Sequence, residues 1–456
     1  MRSMLSTAIG VALFGFSGVA AAITDSDVNS VIPFNFANPG ARSLGMGGAF
    51  LGLADDATAA YTNPAGLTQL LEPEISVEGR HTSYSVPYLA GGSYTVDPFN
   101  TSGLKSADAD NSINNLSFLA VTFPHERWSF AFYRDETLHY DNDFGGTFEG
   151  TTVEVPGVGT DNIFPIAGHQ SVKIVDYAFA AALRVSDMIS LGAGISYYQF
   201  DIGSTVGRYS DQFFTNPGLK LNEQAQFGSD SSYGFNLGAR FALSEQWSLG
   251  LAYREGPKFK YSANATILGT TTANPDGTFT ATPTTPTLIE QFNDVRFKVP
   301  DVWSAGLAWR PTDAWRIDFD VDRVRYSQVT DNITSLFAFT PATLARLEIP
   351  DGTEYHLGAE YTFAQMSHPV SIRAGWWHDP RHSLAYQGNP LNDPGYSAAD
   401  GLFGPFALAA VYGVSQGSQN HGALGVGMAF EHFQIDFGAD FSDTVDTYSL
   451  SAVWRF

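Results

Sequence analysis

Phe433-Gln434-Ile435-Asp436-Phe437-Gly438-Ala439-Asp440-Phe441, followed after six residues by Tyr448-Ser449-Leu450-Ser451-Ala452-Val453-Trp454-Arg455-Phe456, ends the chain. In the first run Phe433, Ile435, Phe437, Ala439 and Phe441 share one face of an extended backbone, and Gln434, Asp436, Gly438 and Asp440 share the other. In the second, Tyr448, Leu450, Ala452, Trp454 and Phe456 oppose Ser449, Ser451 and Arg455, with Val453 a mild exception. The same period of two sets Trp315, Ile317, Phe319 and Val321 between Arg316, Asp318, Asp320 and Asp322. It also sets Tyr177, Phe179, Ala181, Leu183 and Val185 between Ala178, Ala180, Ala182 and Arg184.

Reading outward from these runs gives about fourteen strands. They fall near 74–84, 116–123, 128–139, 171–185, 189–203, 232–243, 247–260, 301–309, 315–327, 353–363, 370–377, 422–430, 433–441 and 447–456. Every second connection is short: Pro124-His125-Glu126-Arg127, Ser186-Asp187-Met188, Ser244-Glu245-Gln246, Pro311-Thr312-Asp313-Ala314, Gln365 to His368, and Glu431-His432. Those between read as long loops, at 85–114, 140–170, 204–231, 261–300, 328–352 and 378–421. The connection around Ser442 to Asp446 is the exception. A soluble β-protein has no reason to sort loop lengths by parity. A meandering outer-membrane barrel has short turns on one side of the bilayer, long loops on the other, and apolar residues facing out. Trp128, Trp247, Trp309, Trp315 and Trp454 at strand ends fit its interfacial girdles.

Composition agrees. Of 456 residues, 16 % are charged and 14 % aromatic, with 45 Gly. The mean hydropathy of −0.09 argues against a bundle of transmembrane helices. The aromatic content argues against disorder. A net charge of −23 speaks against a nucleic-acid binder, because phosphate contacts need clustered cations. Without Cys there is no disulfide framework, thiolate metal site or cysteine nucleophile. Residues 1–22 read as a signal peptide: Arg2, an apolar stretch from Ala8 to Phe16, then Ala20-Ala21-Ala22. The expected organisation is a signal peptide at 1–22, an N-terminal extension and hatch at 23–72, and a barrel at 73–456.

Residues 34–68 do not alternate. They contain Pro39-Gly40-Ala41-Arg42-Ser43-Leu44-Gly45-Met46-Gly47-Gly48-Ala49-Phe50, then Ala54-Asp55-Asp56-Ala57-Thr58-Ala59, then Asn63-Pro64-Ala65. Asp55 to Ala60 favours a short helix, Asn63-Pro64 a turn, and Gly45, Gly47 and Gly48 close backbone packing. Small residues dominate, as suits a plug inside a tube.

This stretch closely resembles the start of FadL-type long-chain fatty acid transporters, an outer-membrane family that includes aromatic-hydrocarbon uptake proteins. The resemblance is specific over about thirty residues and architectural elsewhere, where it covers length, strand number and the terminal Phe456. It implies an all-β transmembrane antiparallel barrel of fourteen strands, with a small N-terminal hatch inside the lumen, in the outer membrane of a Gram-negative bacterium. It further implies capture of a hydrophobic ligand between external loops, hatch movement, and sideways release through the wall. No cofactor is implied. The partners would be the ligand (fatty acid or hydrocarbon), membrane lipid and lipopolysaccharide, and the barrel assembly machinery, met through the strand ending in Phe456. A monomer is the family expectation.

Asn63, Pro64 and Ala65 match the hatch signature; the same residues also read as a turn that seats the plug. Phe34 and Phe36 lie where the family's N-terminal strand touches ligand, and packing inside the barrel explains them equally. Phe213, Phe214, Leu219, Leu221, Ile267, Leu268, Leu288 and Ile289 are apolar for exposed loops and suit a capture groove. The alternation sends Arg184, Arg240, Arg316 and Arg373 into the lumen, as carboxylate contacts or as partners of Asp318 and its neighbours. Arg134-Asp135-Glu136 interrupts the apolar pattern of the third strand, without locating the family's lateral opening there. No Gly-x-Ser-x-Gly, Walker loop or His-Glu-x-x-His occurs, so no enzyme is read. His378, Asp379 and His382, and the loop acids Asp108, Asp110, Asp141 and Asp143, are read as solvated charge rather than metal ligands. A diffusion porin for polar solutes remains the alternative, and the plug-like 34–68 segment argues against it.

Overall fold

The computed structural model describes residues 36–96, 99–144, 151–155, 159–163, 166–209, 219–273, 279–330, 341–393, 409 and 417–456. Fourteen antiparallel strands form a closed ring. They are β1 (Glu74–Val96), β2 (Phe99–Pro124), β3 (Trp128–Phe144), β4 (Ile166–Arg184), β5 (Ile189–Tyr209) and β6 (Lys220–Ala242). Then come β7 (Trp247–Arg254 continued by Lys258–Ala273), β8 (Phe279–Lys298 continued by Val302–Thr312), β9 (Trp315–Val324) and β10 (Gly352–Phe363). β11 (Val370–Asp379), β12 (Gln419–Ala429), β13 (Phe433–Phe441) and β14 (Val445–Arg455) complete it. Closure is the pairing of β14 with β1, from Arg455 opposite Glu74 to Val445 opposite Tyr84. A closed ring leaves no unpaired backbone edge in lipid.

All fourteen expected strands are present. The expected loops differ. Residues 85–114 are mostly the upper parts of β1 and β2, and 204–231 and 261–300 are largely the extended ends of β5 to β8. Exposed positions there are mostly polar, while apolar residues such as Val86, Ile113 and Val295 turn inward; period-two hydrophobicity sees only the lipid-facing part. A tilted strand needs about 9–11 residues to cross the bilayer, so β1 and β2 stand well above it. β7 and β8 each break once, side by side, at Glu255-Gly256-Pro257 and Val299-Pro300-Asp301. The prolines supply no ladder N–H. The break is closed by Lys298, whose Nζ donates to the Gly256 carbonyl (2.6 Å) and to Asp301 (2.5 Å).

The alternation sorts as read. Leu450, Trp454, Phe437, Phe319, Tyr177 and Leu183 are exposed on the outer face. Trp128, Trp247, Trp309, Trp315 and Trp454 all stand at the short-turn end, and the Trp247 and Trp309 rings stack 5.4 Å apart. Inside, polar residues are buried: Glu78, Asp318, Asp320, Glu360, Arg373 and Asp436. What buries them is the chain's own N-terminal segment.

That segment, residues 36–70, turns inside the ring. It holds a one-turn helix α1 (Ala41–Gly45), a second α2 (Ala59–Thr62) and a 3-10 turn Pro64–Gln69. The helix expected over Asp55 to Ala60 starts later, because Asp56 instead accepts from Thr58 N (2.9 Å) and closes a local turn. Ala57, Ala59, Ala60 and Leu67 pack on Phe118, Ala131, Ala178, Ala180 and Ala182 of β2 to β4. Above it, on the long-loop side, β1, β3, β4, β5, β7 and β8 send inward an apolar cluster. It includes Tyr84, Tyr140, Ile174, Phe200, Phe259 and Phe297, with Phe200 stacked on Phe259 at 4.7 Å.

Candidate functional site

Two kinds of wall residue hold the segment. The first is glycine. Gly192 of β5, Gly238 of β6, Gly250 of β7, Gly306 of β8, Gly358 of β10, Gly375 of β11, Gly425 of β12 and Gly438 of β13 each lie against segment residues between Ala41 and Ala65. They occur as cross-strand pairs: 192 with 238, 250 with 306, 358 with 375, and 425 with 438. A Cβ on Gly375 would sit 2.2 Å from Gly47 N, and one on Gly250 2.3 Å from Leu51 O. Glycine is unfavourable in a strand interior; here it lets two backbones touch.

The second is charge. β9 supplies Asp320, which accepts from Phe50 N (2.7 Å) and Leu51 N (2.8 Å), and Asp318, which accepts from Leu53 N (3.2 Å). Glu78 accepts from Gly40 N at 2.9 Å. Arg42 is the hub. It meets Asp55 at 2.7 Å and grips both oxygens of Glu360, at 2.9 and 3.0 Å. Glu360 also meets Arg373 (2.6 Å) and Arg316 (3.5 Å); Arg373 reaches Asp436 (2.7 Å), and Arg310 reaches Asp55 (3.1 Å). Of the expected lumenal arginines, Arg316 and Arg373 therefore pair with Glu360, and Arg373 also with Asp436, while among the described residues Arg240 makes no ion pair. The expected pairing with Asp318 is displaced because Asp318 is occupied by a backbone amide. Arg184 donates to the Thr68 carbonyl.

Asn63 is the joint of the segment. Its Oδ1 caps the 3-10 turn through Ala65 N (3.2 Å), and its amide donates to Leu51 O (3.4 Å) and, across to β6, to Ala239 O (3.2 Å). Pro64 and Ala65 rest on Gly192. Gly45, Gly47 and Gly48 are buried against β10 to β12; Gly47 and Gly48 adopt φ of 65° and 79°, which suits glycine.

Burial alone would raise the Asp55 pKa, but Arg42 and Arg310 more than offset this and hold it below the ordinary value. Burial wins at Asp56 and lifts it. A depressed carboxyl contributes fully above its unfolded pKa, about 3.9, and loses that contribution as pH falls through the folded value. A raised one favours the seated state more as pH falls. Mild acid is therefore expected to leave the segment seated, and release should begin below about pH 4. Because the chain has no Cys, spin labels at Leu71→Cys and Met188→Cys would report the distance between segment and wall. Loosening already at pH 6 would contradict this assignment.

Other expected residues are scattered. Phe36 is buried in the apolar cluster, 6.0 Å from Tyr326. Leu221 is buried, Leu219, Ile267 and Leu268 are half-buried, and Leu288 and Ile289 are exposed. Phe34, Phe213 and Phe214 lie outside the described residues, as do residues 1–22. His382 pairs with Asp379 (3.1 Å), while His378 bonds Asn420 (3.3 Å), so these three do not converge.

Arg254 was not singled out by the sequence. It ends the first part of β7, where the apolar cluster meets the segment, and lines a small cavity with Phe36, Tyr61, Asn236, Ser304 and Asp322. Its guanidinium lies over Tyr61 (4.2 Å) and Phe36 (5.8 Å). Among the described residues no carboxylate comes within ion-pair distance of it.

A family model described as "Outer membrane protein transport protein (OMPP1/FadL/TodX)" matches residues 33–384. The chain belongs to this family. Like the family's other members it is an outer-membrane transport protein for hydrophobic compounds. No curated protein sequence matches it closely. Among solved structures, a Pseudomonas aeruginosa FadL homologue aligns with a TM-score of 0.59 at 13 % identity, covering 91 % of this chain and 98 % of that one. The Ralstonia pickettii toluene transporter TbuX gives 0.57 at 14 %, covering 93 % and 100 %. The monoaromatic hydrocarbon channel CymD gives 0.56 at 16 %, covering 93 % and 99 %. At such identities these likenesses speak for the barrel alone.

Proposed function

We propose that this barrel takes up long-chain hydrophobic molecules that carry a carboxylate, the fatty-acid class, with residues 36–70 acting as its hatch. The observation that carries the reading is Arg254. A cation half-buried beneath an aromatic cluster, and without an ion-pair partner among the described residues, suits an amphiphile that lays its chain against Phe200, Phe259 and Phe297. A hydrocarbon would leave the guanidinium with only the more distant carboxylates of Asp135 and Asp322 to balance it, whereas a ligand carboxylate could pair with it directly. Exposed Leu288 and Ile289, high on β8, suit first contact with the ligand. The register shift between Asp135 and Leu138 in β3 suits an exit through the wall. Hatch displacement, led by Asn63, Pro64 and Ala65, would join the two. A hatch bonded to the wall as tightly as this one argues against an open diffusion pore. The barrel would act as a monomer, its last strand presented to the assembly machinery.

The test compares oleate and toluene binding to purified barrels, native and Arg254→Gln. Oleate affinity should fall at least about tenfold, the worth of one charge-assisted pair, and toluene affinity should not change. Equal effects on both ligands, or no oleate binding by the native protein, would favour the hydrocarbon reading instead.

A further inference from the structure

We propose that Asp322 of β9 and Glu354 and His356 of β10 form a divalent transition-metal site, of the kind zinc occupies, on the wall beneath the hatch. The three offer ligand atoms within 4.8 Å of one another. The proposal does not depend on the substrate assigned above.

The orientation of His356 carries the argument. Its Nδ1 lies 2.8 Å from the carbonyl of Gly47 in the hatch. A carbonyl can only accept, so Nδ1 carries a proton and Nε2 is the nitrogen left to face the two carboxylates: protonated it pairs with them, and an ion that displaces that proton takes its lone pair. That Nε2 is buried, has no hydrogen-bond partner among the described residues, and faces Glu354 Oε2 at 3.6 Å and Asp322 Oδ2 at 3.7 Å. The residue itself is 3 % exposed. A direct charged hydrogen bond closes to about 2.7–2.9 Å. The neighbouring His421 does this, with Asp440 at 2.7 Å. His356 stands off. Ligands on a tetrahedral ion with arms of about 2.0–2.1 Å are about 3.3–3.4 Å apart, so the observed spacing needs only a small closure around a metal.

The surroundings are those of a built site. Trp377 stacks on the imidazole at 5.3 Å and 13°. Tyr326 donates to the other oxygen of Glu354 (2.7 Å), and Asp322 Oδ1 is a further buried acceptor without a partner among the described residues. Asp322 and Ser304 border the small cavity beside Arg254, which can supply a water as fourth ligand. Imidazole plus two carboxylates suits zinc and its first-row neighbours better than the harder calcium.

The hatch then enters as an outer partner. The Gly47 carbonyl fixes the histidine's tautomer and angle, and such partners are worth about 10–100-fold in metal affinity. Coupling is reciprocal, so bound metal would hold the hatch shut by the same factor. Gly48 makes the approach possible: a Cβ there would lie 2.9 Å from His356 Nδ1.

The experiment titrates tag-free, chelator-washed barrels in detergent with zinc, and with cobalt for its ligand-field spectrum. A His169→Ala background silences the exposed Asp141, Asp143 and His169 group. One zinc per chain with micromolar or tighter affinity is expected, weakened at least about 30-fold by His356→Asn and by Asp322→Asn. Asp322→Asn does not touch the hatch contact at Gly47, so it separates lost ligation from a lost hatch. Zinc should also slow hatch opening about tenfold, read from labels at Leu71→Cys and Met188→Cys. No stoichiometric zinc at 100 μM in the assay, or unchanged binding in both variants, would overturn the site.

Discussion

Gly375→Val is expected to unseat the hatch while leaving the barrel closed. The added Cβ would meet Gly47 N and the Met46 carbonyl carbon, each at 2.2 Å. Both are backbone, so neither can turn aside as a side chain would. The wall is fixed by ladders on both sides, Gly358 opposite Gly375 and Ala423 opposite Gly375. The hatch has to move, and the Gly47–His356 bond goes with it. Overpacking of this kind costs about 1–3 kcal/mol, and the upper value applies where nothing can relax. That raises the open population roughly a hundredfold. The readouts are planar-bilayer conductance and the spacing of labels at Leu71→Cys and Met188→Cys. Gly422→Val is the control: it lies in the adjacent strand, and its Cβ meets nothing within 4 Å. If the two variants behave alike, the glycine seat is not what holds the hatch.

The same glycines show what the sequence makes legible. Period-two hydrophobicity marks the lipid face, because one face of Trp315 to Val321 or Tyr177 to Val185 meets hydrocarbon and must be apolar. Loop parity then fixes strand direction. The upper parts of β1, β2 and β5 to β8 meet water rather than lipid outside and pack apolar residues such as Val86, Ile113 and Val295 inside, so they lack the lipid-face period and read as loops. Inward glycines at 192, 238, 250, 306, 358, 375, 425 and 438 are visible as unfavourable residues within strands, and that was the available sign of a tightly bound plug. Asp318 and Asp320 read as ordinary lumenal acids. Only the fold reveals that they bind hatch amides, since their partners lie more than 260 residues away. Arg254 gave no sign, because its place over Phe36 and Tyr61 is a property of assembly rather than of local pattern.

Arg42→Met should release the hatch by a different route. Arg42 alone joins Asp55 in the segment to Glu360 in the wall, with Asp56 at 3.5 Å. Its side chain is 12 % exposed, so this is a buried network rather than a surface pair. Removing one member of a buried pair costs about 3–5 kcal/mol, because the remaining charge is left without its partner. Here Arg310 still reaches Asp55, and Arg373 and Arg316 still reach Glu360, so the lower value is expected. The loss falls on the seated state, since a raised hatch can hydrate Asp55. Hatch opening should therefore rise about a hundredfold, with the barrel's own melting unchanged. Arg42→Lys keeps the charge but cannot span both oxygens of Glu360 and Asp55 at once, so it should fall between. Adding Glu360→Gln to Arg42→Met removes one of the carboxylates left behind and should recover part of the loss. Were Arg42→Met to leave both label spacing and conductance at native values, the arginine would be packing rather than a latch. The glycine seat and the Asp318 and Asp320 bonds would then hold the hatch without it.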